Sequence, residues 1–253
     1  MRKYLVLVTM VLGLIFIYSF RNEVKAHQPL KLASNSSKND SLKNINKSVR
    51  EATVPASKAF YDSVNFGDYD VLNFDVFDTA FTGFENLKKA GHLTENSRYL
   101  VICDFSLSSN KKRLWVIDMV EHKVVYNTLV SHGKGTGEEF AEKFSNIEGS
   151  HQSSLGFYIT ETTYNGSNGY SLLLNGMDKG YNDAAMQRAI VMHGADYVSE
   201  AFIKSQKRLG RSWGCPAVSR EIAVDLINLI KEKNCLFIYY PDQNYLSQSQ
   251  WLS

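Results

Sequence analysis

The chain has 253 residues, 44% of them hydrophobic and 12% aromatic, with a formal net charge of +2. That is enough apolar material for one sizeable domain with extensions, or two small ones, and it excludes wholesale disorder. Acids and bases are interspersed and no long basic block occurs, which argues against a nucleic-acid partner.

Arg2 and Lys3 precede an apolar run over residues 4–20, followed by Val24-Lys25-Ala26. A charged start, an apolar stretch and small residues at a cleavage point describe a secretory signal. The run is slightly long for a signal and slightly short for a comfortable membrane span. Residues 1–26 are therefore expected to be a signal peptide or an N-terminal membrane anchor, in contact with the membrane if uncleaved. Either way the rest of the chain is exported, to the periplasm or cell envelope. Residues 27–57, rich in Ser, Asn and Lys, read as a flexible linker.

A helical extension is expected over residues 58–95. Val71, Phe74, Phe77, Phe81, Phe84 and Leu87 recur at three- and four-residue spacing, which predicts a helix over 70–90 closing at Gly91. Strand-like runs follow at 99–105, 114–119, 123–130, 155–160, 171–174, 189–193 and 235–240, with Gly- and Asn-rich turns between several of them. Helices are predicted over 196–206 and 219–233, the second capped by Ser219 and striped by Ile222, Leu226 and Ile230. The fold class is α+β and β-rich, with helices inserted late; the main domain is expected over 96–241, and 242–253 form a C-terminal tail.

Three cysteines are too few for a disulfide scaffold, and an odd number leaves at least one thiol unpaired. Cys103 and Cys235 lie in apolar strand-like runs and read as core positions, with a bridge between them left open. Cys215 differs. It sits in Arg211-Ser212-Trp213-Gly214-Cys215-Pro216, a small and polar context that predicts an unburied loop thiol.

Two local patterns carry chemistry. Ile190-Val191-Met192-His193-Gly194 reads as a strand that delivers a histidine to its end and breaks at glycine; Ser212-Trp213-Gly214-Cys215 lies just before the helix predicted at 219. A neutral thiol is a poor nucleophile, so Cys215 needs a base, which His193 can supply, or a field that favours the thiolate. The following helix N-terminus can add such a field if the 216–218 turn aims it at the sulfur. The amides of Gly214 and Cys215 could donate to an oxyanion. His132 also ends a strand-like run before a glycine and could border the same cleft. No His-Glu-x-x-His spacing occurs, so no metal site is expected.

These paired motifs resemble the L,D-transpeptidase catalytic domain, also called the YkuD-type domain, in its exported murein branch. The likeness is strongest over His193-Gly194-Ala195-Asp196-Tyr197-Val198 and Gly210-Arg211-Ser212-Trp213-Gly214-Cys215-Pro216. It extends more loosely over residues 99–240, including Ser131-His132-Gly133 and Asn175-Gly176-Met177-Asp178. The resemblance implies a mixed β-sheet sandwich with late inserted helices, and no cofactor. It makes Cys215 an acylated nucleophile and His193 its base, with the Gly194 carbonyl orienting the imidazole, Gly214 and Cys215 amides forming the oxyanion hole, and Ser212 shaping the loop. It departs from the family at Trp213, where the common pattern has histidine; the indole could stack on substrate or wedge the loop.

The implied reaction acts on peptidoglycan stem tetrapeptides through a Cys215 thioester. A second stem, water or a protein amine would resolve it, giving cross-linking, trimming or tethering. Arg211, Arg188 or Arg208 could clamp a stem carboxylate, and carbapenem-type compounds are candidate inhibitors. The alternative is a non-catalytic peptidoglycan-binding module that keeps the fold. A papain-like peptidase fits less well, because its cysteine precedes its histidine in the chain.

Overall fold

The computed structural model describes residues 54–253; the expected signal or anchor, and the linker up to residue 53, lie outside the described residues. Eight strands form one mixed sheet: β1 (Tyr99–Asp104), β2 (Leu114–Asp118), β3 (Lys123–Thr128), β4 (Gly156–Gly166), β5 (Gly169–Gly176), β6 (Val191–Ala195), β7 (Ala217–Ser219) and β8 (Cys235–Tyr239). Their order is β3-β2-β1-β8-β4-β5-β6-β7. The β1–β8 and β6–β7 pairs are parallel and the other neighbours antiparallel. The strand-poor ends of the described chain are helical: α1 (Ala56–Ser63) and α2 (Phe74–Lys89) precede the sheet, and α5 (Gln243–Gln248) follows it. Helices α3 (Glu200–Gln206) and α4 (Arg220–Ile230) are the late insertions.

Helix α2 starts where its cap dictates. The Asn73 side chain accepts from the Asp75 and Val76 amides, Asp75 lies in the first turn, and Lys88 and Lys89 lie in the last. Val71, counted in the apolar stripe, therefore falls outside the helix and is 67% exposed. Val76, Phe77, Ala80, Phe84 and Leu87 are buried, each large one contributing about 1.5–3 kcal/mol of transfer free energy. Gly83 permits close approach to the sheet, because a Cβ there would meet the Phe157 ring at 2.0 Å. Helix α1 begins at Ala56, inside the expected linker, and packs Phe60 and Tyr61 on Phe77.

The sheet separates Cys103 from Cys235. The β1–β8 register pairs Leu100 with Cys235 and Cys103 with Ile238. The two sulfurs are thus three positions apart along adjacent strands, about 10 Å at strand rise, beyond disulfide reach. All three cysteines are free and buried.

Residues 242–253 are packed into the domain. Asp242 caps α5, Tyr245 is fully buried, and the Asp178 carboxylate accepts from Ser249 Oγ at 2.5 Å, Tyr245 Oη at 3.3 Å and the Phe157 amide at 2.7 Å.

Candidate active site

The parallel β6–β7 pair builds the site. His193 is paired with Ala217, Gly194 with Val218 and Ala195 with Ser219. Strand β6 thus continues through Gly194 and Ala195, because β7 gives their backbone groups a partner; the sequence reading had ended the strand at His193. Two residues before the first of these pairs, Cys215 precedes β7 and meets Val191 at the start of β6, whose amide donates to Cys215 Sγ at 3.5 Å. The thiol lies 3.8 Å from the Ala189 carbonyl and can donate to it.

Cys215 is only 9% exposed, which corrects the expectation of an unburied loop thiol. Polar neighbours in sequence do not imply solvent, and here the 150–154 loop covers the turn before the cysteine: Ser153 Oγ donates to the Gly214 carbonyl at 3.1 Å. The helix field is also displaced. Strand β7 intervenes between Cys215 and α4, which begins at Arg220, and the Ser219 side chain makes no capping bond. Burial pushes the Cys215 thiol up, while the Val191 amide and then the Arg188 charge pull it partway back.

The turn before the sulfur is organised by Ser212. Its hydroxyl accepts from the Gly214 amide at 3.1 Å and donates to the Cys215 carbonyl at 2.6 Å. Gly214 adopts φ +121°, where a side chain would be strained and a Cβ would meet the Gln152 carbonyl at 2.7 Å. The Gly214 amide is thus already occupied, whereas that of Cys215 has no hydrogen bond to another residue's backbone among the described residues.

His193 is buried, and its Nδ1 lies 3.1 Å from the Gly194 carbonyl. Only an N–H can bond a carbonyl, so the proton sits on Nδ1 and Nε2 is left as a base. Burial, reinforced by the Arg220 charge, holds its pKa below the ordinary histidine value. The ring is therefore neutral at pH 7. No hydrogen bond joins it to Cys215, yet both line one cavity of 530 Å³ with Arg188, Tyr197, Arg211 and Trp213.

The remaining sequence candidates divide. Trp213 is 73% exposed at the rim and stacks on His151, with ring centroids 5.0 Å apart. Arg211 lines the cavity while its Nη1 donates to the Gly137 carbonyl at 2.8 Å and to Glu138 Oε1 at 2.7 Å. Arg208 pairs with the other Glu138 oxygen at 2.9 Å and stays off the cavity wall. Arg188 lines it with both terminal nitrogens committed to protein acceptors. His132 is fully buried and does not line the cavity. Its Nδ1 accepts from Arg113 at 2.7 Å and its Nε2 lies 3.3 Å from the Gly137 carbonyl. Sequence reasoning overlooked Tyr197, whose phenol burial and the nearby Cys215 push up to about 12, and the β4–β5 hairpin tip, which brings Tyr164, Ser167 and Asn168 to the rim. The Asn-Gly-rich tip was legible only as a turn. A second cavity, of 580 Å³, holds the Asp196–Arg220 ion pair but neither thiol nor imidazole. Among the described residues no three His, Cys, Asp or Glu side chains gather as a metal set.

Comparison with curated proteins finds no match. Three similar solved structures are the L,D-transpeptidase from Mycobacterium smegmatis (12% identity, 56% of this chain and 59% of that one, TM-score 0.35), the helical cell shape determining protein from Campylobacter jejuni (13%, 64% and 57%, 0.39) and L,D-transpeptidase 3 from Mycobacterium tuberculosis in complex with a faropenem-derived adduct (14%, 56% and 60%, 0.33). This chain thus spans at most 60% of the length of each of these three. Residues 69–239 match the family described as the L,D-transpeptidase catalytic domain. That stretch takes in all eight strands and both sides of the cleft, and the chain belongs to this family.

Proposed function

We propose that the protein is an exported, cysteine-dependent peptidoglycan L,D-transpeptidase acting on stem tetrapeptides, with Cys215 as nucleophile and His193 as base. The observation that carries this reading is the shared cavity. A thiol and a neutral imidazole with a free Nε2 line the same 530 Å³ space within the family-matched region. The N-terminal charge-then-apolar pattern supports export.

In this mechanism Cys215 gives its proton to His193 Nε2 and attacks the carbonyl between the third residue, an L-centre diamino acid, and the terminal D-alanine. The Cys215 amide is the available donor to the tetrahedral oxyanion, since the Gly214 amide is held by Ser212. Collapse breaks the amide bond, D-alanine leaves with the proton from His193, and a thioester remains. An amine of a second stem, deprotonated by His193, then forms the cross-link and restores the thiol; water in its place gives trimming. Arg211 is the better placed carboxylate clamp, because its hydrogen bonds run through Nη1 alone and leave Nε and Nη2 uncommitted among the described residues.

A second reading, a peptidoglycan-binding module without turnover, is favoured by one observation: the sulfur is engaged by Val191 and Ala189 rather than by His193, and burial raises its pKa. Intact-mass analysis of the full chain with a carbapenem and with a disaccharide tetrapeptide separates the two. The enzyme reading expects a Cys215 adduct with both, absent in Cys215→Ala and slowed in His193→Ala, with release of D-alanine. A folded protein that reacts with neither compound is the binding module.

A further inference from the structure

The residues leading into β6 surround the sulfur with more than the sequence motifs indicated. Arg188 Nη1 donates to the Ser145 carbonyl at 2.8 Å and to Ser154 Oγ at 2.5 Å; its Nη2 donates to Ser150 Oγ at 3.2 Å and to the Gln152 carbonyl at 2.8 Å. One guanidinium thereby fastens both ends of the 145–154 loop. That loop supports the catalytic turn, since Ser153 Oγ holds the Gly214 carbonyl and the Gln152 carbonyl lies where a Gly214 side chain would be. The next residue, Ala189, has φ +53°, an unusual conformation for a residue with a Cβ. This turn brings the Val191 amide to Cys215 Sγ as a donor, while the Ala189 carbonyl, at 3.8 Å, can accept only from the protonated thiol.

We propose that Arg188 is a positioning residue for Cys215: it fixes the loop on which the catalytic turn rests and leaves an unpaired positive charge in the sulfur's cavity, so that the thiolate is held by this charge and the Val191 amide instead of by the α4 terminus. Among the described residues Arg188 is in no ion pair. With both terminal nitrogens engaged it is poorly free to clamp a substrate carboxylate, but its charge is not neutralised by the carbonyls and hydroxyls it binds. The influence is mutual: burial lowers the Arg188 pKa, while Tyr158 and Cys215 raise it. The other titratable groups facing the sulfur's cavity are His193 on β6, Tyr197 beyond it, Arg211 on the sulfur's own loop and Tyr164 on the hairpin tip.

The importance of this role rests on the proposed function, but its measurement does not. Alkylation of Cys215 by iodoacetamide, followed by intact mass in the full chain from pH 6 to 10, reports the thiolate population directly. Arg188→Gln is expected to move the midpoint upward by about one unit, which is about tenfold slower labelling at pH 7. Arg188→Lys, which keeps the charge, is expected to recover most of that shift. Equal midpoints in wild type and a folded Arg188→Gln protein would overturn the proposal, as would an Arg188→Lys midpoint matching that of Arg188→Gln. If Arg188→Gln does not fold, the Ser150→Ala/Ser154→Ala protein replaces it. That variant loosens the guanidinium without removing it, and labelling at pH 7 should slow at least twofold; an unchanged rate overturns the proposal. Tetrapeptide turnover by the wild type is scored separately. A shifted midpoint without turnover defeats the enzyme reading and leaves Arg188's role intact, whereas turnover with an unmoved midpoint does the reverse.

Discussion

The molecule contains two histidine–glycine pairs on neighbouring backbone segments, and their surroundings set them apart. His132 is enclosed with Arg113, a buried guanidinium that donates to the Val130 and Leu107 carbonyls and stacks 4.7 Å from the Phe105 ring centre. Because arginine can only donate, His132 accepts at Nδ1 and carries its proton on Nε2. His193 has the opposite tautomer, since the Gly194 carbonyl takes Nδ1–H and leaves Nε2 lone-paired on the wall of a cavity shared with a thiol. The same dipeptide is a structural brace in one place and a candidate base in the other. The neighbour decides: an arginine that consumes the lone pair, or open space that leaves it available.

The largest effect that tests this contrast is on turnover of a disaccharide tetrapeptide. Cys215→Ala should abolish D-alanine release, and His193→Gln should lower it about 100- to 10,000-fold. His132→Gln should leave kcat/KM of the folded protein within about threefold of wild type, within ordinary variation for a residue off the reacting atoms. A His132 variant as damaged as the His193 variant, with the fold intact, would erase the distinction. Next in size is stability. Arg113→Met strands two carbonyls and His132 in the core, and denaturant unfolding should show a loss of about 3 kcal/mol; a loss below about 1 kcal/mol would mean that the brace contributes little.

Smaller is the pH dependence. Burial and Arg113 push the His132 pKa down to about 3, against about 6.5 when unfolded. Between those values the unfolded chain takes up a proton that the folded one refuses, so stability falls as pH drops below about 6.5. The His132 contribution should average about 1 kcal/mol per pH unit between pH 7 and pH 5, approaching about 1.4 at the lower end, read as the difference in unfolding free energy between wild type and His132→Gln at those two pH values. Parallel pH profiles would refute it. Smallest is the rim. Trp213→Ala should raise KM for the tetrapeptide about threefold while shifting stability by under about 0.5 kcal/mol, as for an exposed side chain; a kcat loss beyond tenfold would move the indole from rim to mechanism.

Much of the architecture was readable because it is periodic or apolar. The Phe-rich repeat gave α2, and short branched runs gave seven of the eight strands to within a few residues at most ends. Strand β7 escaped because three residues carry no period, and its presence is what extends β6 beyond His193 and separates Cys215 from α4. Helix α5 escaped because Gln243–Gln248 is polar apart from Tyr245 and Leu246, so its anchoring is visible only once Asp178 is in place. In the cleft, Cys215, His193 and their glycines stood out by motif. Arg188 was legible only as a clamp for a stem carboxylate, since its partners at 145, 150, 152 and 154 lie about forty residues away in sequence. Burial of the thiol was missed for the same reason: the loop that covers it is remote in the chain.

The Asp178 knot has a consequence for dividing the molecule. Family likeness stops at residue 239, and a cut made there would remove Ser249, Tyr245 and Trp251, leaving the buried Asp178 carboxylate with the Phe157 amide alone and the Met177 carbonyl without its indole donor. The last stitch of this domain is made by residues that bear no family signature. A family boundary can therefore run straight through the contacts that fasten the last helix to the sheet.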